Sequence, residues 1–202
     1  MEVIAVEDRD KDFTSLVEVF SFGEAVEEIR DLPPGMLLID SDGTCRSHID
    51  AMINLKPGLV PEENINMVKK LLEKGWKVAV ITNQPYPGHQ VAKVVSKDGK
   101  RYKAFPFCWE EIGVPVMGGD KNFLTKKYKE TDGALQRVVG WVQDNEETAN
   151  CGNVVFIGDR QGDVDFAKKV SLALETVVKV FKLPGIEDSQ SRLVRKMAPL
   201  IP

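Results

Sequence analysis

The chain has 202 residues, of which 43% are hydrophobic and 29% charged, a composition typical of a folded globular protein. Its formal net charge of -4 gives no general reason to bind nucleic acid or an anionic membrane surface, and we recognise neither a membrane-spanning run nor a signal peptide. The three cysteines form no CxxC pair, which argues against a zinc site or a disulfide framework and favours a reducing, cytoplasmic compartment.

Apolar patterning predicts alternating strands and helices along the first part of the chain. We expect a short strand at residues 3–6, a helix at 23–30 and a strand at 36–39. Residues 61–74 carry apolar positions at helical spacing, with proline and acids at the start and a glycine after the end, so they predict a second helix. The apolar run at 78–81 predicts the next strand.

The alternation is interrupted between residues 84 and 112. The segment VAKVVSKDGKRYKAF alternates apolar and polar residues around Asp98-Gly99, which is a strong hairpin signal. It predicts a small two-stranded insertion within residues 85–112. We therefore expect one α/β domain over 1–202, with residues 1–35 forming an N-terminal extension that adds a strand and a helix.

The alternation resumes in the last third of the chain. We predict a helix at 131–143, a strand at 153–157, a helix at 163–170 and a strand at 172–180. Thr131 or Asp132 is expected to cap the first of these helices, and a closing helix is expected after Pro184. Alternating strands and helices predict a Rossmann-like α/β fold, a parallel sheet with helices on both faces.

Polar residues stand where three of the predicted strands end. Asp40, Thr82 and Asp159 directly follow the apolar runs in LLID, AVIT and VFIGD, and Asp42 and Asp163 follow close behind. Because ligands of open parallel sheets bind at the carboxyl ends of the strands, we expect these groups to meet there. Carboxylate oxygens favour a hard divalent cation, so the sequence predicts Mg²⁺.

Such a site suits chemistry on phosphoryl groups. A carboxylate beside Mg²⁺ can attack phosphorus and form an aspartyl-phosphate, and a second carboxylate nearby can protonate the leaving group and later activate water. The phosphoryl charge needs a hydroxyl, backbone amides and a cation. Thr82 and a lysine from residues 121–129 are available for that purpose.

The order of these segments resembles the four motifs of the haloacid dehalogenase (HAD) superfamily. DSDGT at 40–44, TNQ after an apolar strand, a lysine before a helix, and GDRQGD at 158–163 lie within residues 36–167, about two-thirds of the chain. VITNQ resembles the branch with histidinol-phosphate and heptose-bisphosphate phosphatases, a subclass III-like group. IGVPVM and FIGDRQGDVDFA are similar to phosphatidylglycerophosphate phosphatases.

The resemblance implies a phosphomonoester hydrolase with a minimal cap. It implies Asp40 as nucleophile and metal ligand, and Asp42 as general acid/base that also lends its backbone carbonyl to Mg²⁺. Thr82 and Asn83 would bind the phosphoryl group of the substrate. The class of phosphorylated substrate and the oligomeric state are not indicated.

The resemblance also assigns the remaining site residues. Asp159 would bind the metal, with Asp163 as a further ligand or as a residue that orients the ligands. The motif lysine has four candidates: Lys121, Lys126, Lys127 and Lys129. We favour Lys129 because it immediately precedes the predicted helix.

Two other functions are compatible with parts of the sequence. A receiver-like signalling module also uses aspartyl-phosphate and Mg²⁺, but it leaves GDRQGD unexplained, and Asp42 favours turnover over a long-lived phosphorylated state. A scaffold that retains the HAD-like fold without turnover is the third hypothesis, although every motif residue is present.

Overall fold

The computed structural model describes residues 14–46, 59–85, 95–97, 100–105, 107–119, 128–149 and 153–185. In chain order the strands are β1 (Thr14–Glu18), β2 (Met36–Asp40), β3 (Leu59–Pro61), β4 (Lys77–Pro85), β5 (Val95–Lys97), β6 (Lys100–Ala104), β7 (Val116–Gly119), β8 (Val154–Gly158) and β9 (Val178–Lys182). The α-helices are α1 (Phe22–Arg30), α2 (Glu62–Glu73), α3 (Phe107–Glu110), α4 (Asp132–Ala149) and α5 (Gln161–Leu174). A short 3₁₀ helix spans Tyr128–Glu130.

Six strands form one parallel sheet in the order β1-β9-β8-β2-β4-β7. Two separate apolar clusters lie on its two faces, one including α1 and α2 and the other including α4 and α5. This arrangement confirms the predicted Rossmann-like α/β fold class.

The central strand β2 contributes to both faces. Leu37 and Ile39 belong to the cluster with α1 and α2, whereas Met36 and Leu38 belong to the cluster with α4 and α5. A strand buried on both faces needs apolar residues at every position, which explains the uninterrupted run MLLI before Asp40.

The helix ends follow from local capping. Ser21 Oγ accepts a hydrogen bond of 3.1 Å from the amide of Glu24, so α1 begins close to the predicted position. Thr131 Oγ1 accepts from the amide of Ala134 at 3.2 Å, so the hydroxyl of Thr131 caps α4. The predicted helices at 23–30 and 61–74 are confirmed, and the helix predicted at 131–143 is confirmed but continues to Ala149.

A second, three-stranded sheet has the order β3-β6-β5. The predicted hairpin is confirmed because β5 and β6 pair antiparallel with Lys97 opposite Lys100, although the turn at 98–99 lies outside the described residues. The third strand of this sheet comes from outside the predicted insertion, because β3 pairs antiparallel with the other side of β6. The pattern around β3 is only three residues long, too short for an alternation to be recognised.

The strand predicted over 172–180 was wrong for residues 172–177. Helix α5 continues to Leu174, and the strand that follows is Val178–Lys182. The helix ends where Glu175 adopts a left-handed conformation with φ of 51°, a backbone geometry that ends a helix regardless of the apolar residues on either side.

Strand β1 was not predicted. It lies at an edge of the main sheet, and its mixed sequence TSLVE is only partly buried, so its apolar signal is weak. Strand β7 and helix α3 were also missed. The strand expected at 3–6 and the helix expected after Pro184 lie outside the described residues.

Among the helices that the structure describes, none combines the length and the apolarity needed to cross a membrane.

Candidate functional site

The candidate site lies at the carboxyl ends of β2, β4 and β8. The chain passes from β2 to β4 and β7 on one side of the sheet and then returns to β8 on the other side of β2. Such a reversal opens a crevice at the strand ends, where ligands of doubly wound sheets bind. Asp40 ends β2 and Asp159 follows β8, so the two aspartates lie at the ends of the two neighbouring strands between which the order reverses.

Three buried aspartates converge there. Carboxylate oxygens of Asp40, Asp159 and Asp163 all lie within 4.8 Å of one another. Close burial of several carboxylates is unfavourable unless cations or hydrogen-bond donors compensate it. Carboxylates at this spacing could together hold a metal ion.

Lys129 supplies one cation to this cluster. Its Nζ donates to Asp40 Oδ1 and, at 2.6 Å, to Asp163 Oδ1, and the side chain is buried. The amide of Lys129 donates to Asn83 Oδ1 at 2.9 Å, which fixes the short 3₁₀ helix against β4. The other three lysine candidates lie outside the described residues.

The electrostatics of the cluster favour a further cation. Burial raises the pKa of Asp40 to about 8, with Lys129 opposing the rise and Asp163 adding to it. Burial lowers the pKa of Lys129, but Asp40 and Asp163 outweigh that effect and raise it to about 12. One ammonium cannot neutralise three carboxylates, and these hard oxygen donors fit a divalent cation such as Mg²⁺.

Asp163 also fastens the loop between β8 and α5. Its Oδ2 accepts from the amides of Asp159 and Arg160 at 3.1 and 3.0 Å, while its Oδ1 accepts from Lys129. A Cβ on Gly158 would lie only 2.5 Å from the Cβ of Asp163. The glycine of the GD pair is therefore required for the close approach of this aspartate.

The carboxyl of Asp42 is held between two donors. Arg46 donates from Nε to Asp42 Oδ1 at 2.7 Å, and Thr82 Oγ1 donates to Asp42 Oδ2 at 3.0 Å. The chain turns tightly between Ser41 and Arg46. Gly43 has φ of 90°, its amide donates to Arg46 O at 2.9 Å, and the amide of Arg46 donates to Ser41 O at 3.2 Å.

All seven predicted site residues belong to the described part of the chain, and the structure brings them together: Asp40, Asp42, Thr82, Asn83, Lys129, Asp159 and Asp163. Thr82 follows Ile81, where the pairing of β4 with β7 loses its regular register, and its hydroxyl is directed at Asp42. Asn83 holds the backbone of Lys129, a contact that its sequence position did not suggest.

Two residues of this site were missed. Thr44 donates from Oγ1 to Asp40 Oδ2 at 3.1 Å, and the Arg46 guanidinium lies over the ring of Phe105, 4.1 Å from its centroid. The available signal for Arg46 was its place four residues after Asp42, where a tight turn returns a cation to the carboxylate.

Comparisons with known proteins give distant structural neighbours. No protein-family model matches the chain, and no curated protein is detectably similar to it in sequence. A hypothetical protein of Xanthomonas campestris is 16% identical with a TM-score of 0.48, over 95% of this chain and 80% of that chain. A Vibrio cholerae protein named "putative 3-deoxy-D-manno-octulosonate 8-phosphate phosphatase" is 16% identical with a TM-score of 0.43, over 77% and 78%. At these TM-scores the chemistry has to be inferred from the residues of this chain.

Proposed function

We propose that this protein is a Mg²⁺-dependent phosphomonoester hydrolase of the HAD type that works through an aspartyl-phosphate on Asp40. One observation carries the proposal. Asp40 ends a central strand in contact with the buried ammonium of Lys129, and the carboxyl of Asp42, two residues on, is joined to Thr82 on the neighbouring strand. In this proposal Asp40 is the nucleophile, Asp42 is the acid/base, and Thr82 and Lys129 supply the hydroxyl and the cation.

The metal would be held by residues of the same edge. We assign the carboxylates of Asp40 and Asp159 and the backbone carbonyl of Asp42 as ligands, with Asp163 as a further ligand or as the residue that orients the others. When bound, Mg²⁺ keeps the nucleophilic carboxylate ionised and offsets charge on the phosphoryl oxygens. The raised pKa of Asp40 supports the assignment of a metal here, because a protonated carboxyl is a poor nucleophile and a bound cation would keep it ionised.

In the first step, an oxygen of Asp40 forms a bond to phosphorus. The bond between phosphorus and the ester oxygen breaks, and Asp42 delivers a proton to that departing oxygen. The Lys129 ammonium and the Thr82 hydroxyl stabilise the phosphoryl oxygens during the transfer. The products are an alcohol and a phosphorylated Asp40.

In the second step, water attacks phosphorus while Asp42 accepts its proton. The bond between phosphorus and the Asp40 oxygen breaks, which releases inorganic phosphate and restores the carboxylate. The same side chain therefore serves as acid and then as base. Both roles require a carboxyl oxygen of Asp42 that faces the reacting group.

The test is hydrolysis of para-nitrophenyl phosphate by the natural protein and by Asp40→Asn, each with Mg²⁺ and with EDTA. We expect turnover that needs Mg²⁺ and that disappears in the variant. Turnover that survives in Asp40→Asn would overturn the assignment of the nucleophile. A stable, acid-labile phosphate on Asp40 after treatment with acetyl phosphate, without turnover, would favour the receiver hypothesis. Absence of both would favour the scaffold.

A further inference from the structure

Arg46 is a buried arginine that the proposed reaction steps do not use. Its Nε and Nη2 lie 2.7 and 2.5 Å from the same oxygen, Asp42 Oδ1, and its Cζ lies over the Phe105 ring, 4.1 Å from the centroid. Only 2% of the Arg46 side chain is exposed. A buried guanidinium with two nitrogens against one carboxylate oxygen anchors that oxygen and leaves the other oxygen to a different partner.

The other oxygen of Asp42 is held by a different kind of donor. Thr82 Oγ1 donates to Asp42 Oδ2 at 3.0 Å. A hydroxyl has one hydrogen to donate, so Thr82 cannot donate to Asp42 and to a phosphoryl oxygen at the same time. Under the proposed function, binding of the phosphoryl group takes the Thr82 hydrogen and leaves Asp42 Oδ2 without this donor.

We propose that Arg46 is a positioning residue for the acid/base. It holds Asp42 by Oδ1 after Thr82 has turned to the phosphoryl group, so that Oδ2 faces the departing oxygen in the first step and the attacking water in the second. This inference rests on the proposed function and adds to it a residue outside the motif positions. Asp42 is thus anchored at one oxygen and released at the other when substrate binds.

The surroundings of Arg46 support an anchoring role. The backbone hydrogen bonds between Ser41, Gly43 and Arg46 form the turn independently of the guanidinium. Asn64 Nδ2 donates to Cys45 O at 3.0 Å, which ties the same turn to α2. Removal of the Arg46 side chain should therefore free the Asp42 carboxyl while the turn itself persists.

The readout is how kcat/KM depends on the leaving group. This parameter includes only the steps up to departure of the first product, so the second step does not contribute to it. An alkyl phosphate needs its leaving oxygen protonated, whereas the 2,4-dinitrophenolate ion departs without a proton. For Arg46→Met we expect kcat/KM to fall about 100-fold on an alkyl phosphate and less than about 5-fold on 2,4-dinitrophenyl phosphate.

Two further variants make the test specific. Arg46→Lys should recover only part of the loss on the alkyl phosphate, because an ammonium cannot reproduce the planar guanidinium over Phe105. Arg101→Met is the matched control. Arg101 is an exposed arginine of β6 that pairs with Glu62, and its removal should leave the leaving-group dependence unchanged.

Equal losses on both substrates, or no loss on the alkyl phosphate, would overturn the inference. If Arg46→Met does not fold, as judged by thermal unfolding, Arg46→Lys and Phe105→Leu are measured on the same pair of substrates. The selective loss on the alkyl phosphate is again the expected result. Failure of the natural protein to hydrolyse any phosphomonoester would instead refute the proposed function itself.

Discussion

Asp40, the proposed nucleophile, is also the residue with the largest electrostatic cost at this site. Its carboxyl is buried beside Asp159 and Asp163, and burial raises its pKa to about 8 even though Lys129 is in contact with it. In an unfolded chain the same carboxyl would lose its proton near its ordinary pKa of 3.8. Without a metal, the folded state therefore keeps a proton that the unfolded state gives up.

The first prediction concerns stability against pH in EDTA. The favourable contribution of the Asp40 proton is fully present below about pH 4 and is lost as the pH rises through about 8, so the unfolding free energy should fall across that window. Asp40→Asn removes this dependence. We expect its Tm to exceed that of the natural protein by about 2–8 °C at pH 8, with a smaller gap at pH 5, measured by circular dichroism.

Magnesium provides the internal control for that experiment. At pH 8, Mg²⁺ should raise the Tm of the natural protein and should have a smaller effect on Asp40→Asn, since the variant lacks one of the proposed metal ligands. Equal pH dependence of the two proteins in EDTA would contradict the account of Asp40.

The second prediction identifies the motif lysine. Lys129→Met should lower kcat at least about 100-fold, because it removes the cation that contacts Asp40 and that is assigned to the phosphoryl oxygens. The exposed Lys168 of α5 supplies a control substitution, Lys168→Met, that should keep kcat within about twofold. If Lys126→Met or Lys127→Met abolished turnover while Lys129→Met did not, Lys129 would be the wrong choice.

At the scale of single residues, the sequence predicted which residue types form the site better than it predicted their contacts. The predicted aspartates follow apolar strands, so a pattern of residues was enough to place them at one edge. Arg46 could not be predicted, because its contact with Asp42 depends on the positive φ of Gly43 and on Phe105, which lies 59 positions further along the chain. A contact made by a turn and a distant ring leaves no periodic trace in the sequence.

At the scale of elements, the loop from β8 to α5 depends on a close approach of backbone and side chain. The third prediction is that Gly158→Ala displaces Asp163, because the added Cβ would lie 2.5 Å from the Asp163 Cβ. Displacing Asp163 weakens its bonds to Lys129 and to the amides at the start of α5. We expect a loss of about 2–4 kcal/mol in unfolding free energy and a weaker stabilisation by Mg²⁺, both measured by denaturant unfolding.

Gly140 provides a matched control within α4. A Cβ at that position would meet nothing within 4 Å, and alanine is the better helix former, so Gly140→Ala should stabilise the protein by about 0.5–1 kcal/mol. If Gly158→Ala were as stable as Gly140→Ala, the close packing of Asp163 against β8 would not matter.

Predictability differed among elements for a physical reason. Strands β2 and β8 are buried at every position, so their apolar runs identified them. Strand β1 is partly exposed and gains its stability from pairing with β9, which no local pattern records. The end of α5 was misplaced because apolar residues continue beyond Glu175 into β9, while the backbone turns between them.

At the scale of the whole molecule, the alternation of strands and helices was sufficient to predict the fold class. The strand order was not predictable in the same way, because it depends on which apolar faces fit together across the sheet. That order places β8 beside β2 and so brings Asp159 to Asp40. The sequence predicted that the carboxylates share an edge, and the reversal of strand order brings their oxygens within 4.8 Å of one another.

The last prediction concerns residues 1–35, which the sequence suggested were an extension that the core does not require. Phe22, Val26 and Ile29 of α1 are buried in the same cluster as Leu37 of β2. Burial of each large apolar side chain contributes about 1.5–3 kcal/mol, and the net stability of a domain is only about 5–15 kcal/mol. A chain that begins at Pro34 should therefore lose cooperative urea unfolding.

A milder substitution tests the same dependence in the full chain. Ile29→Ala should lower the unfolding free energy by about 2–5 kcal/mol, whereas the exposed neighbour substitution Glu28→Ala should change it by less than about 0.5 kcal/mol. Unchanged stability in Ile29→Ala, together with cooperative unfolding of the shortened chain, would show that α1 is dispensable. Loss of stability in Ile29→Ala and loss of cooperative unfolding in the shortened chain would show that β1 and α1 help to hold β2, and with it Asp40, in place.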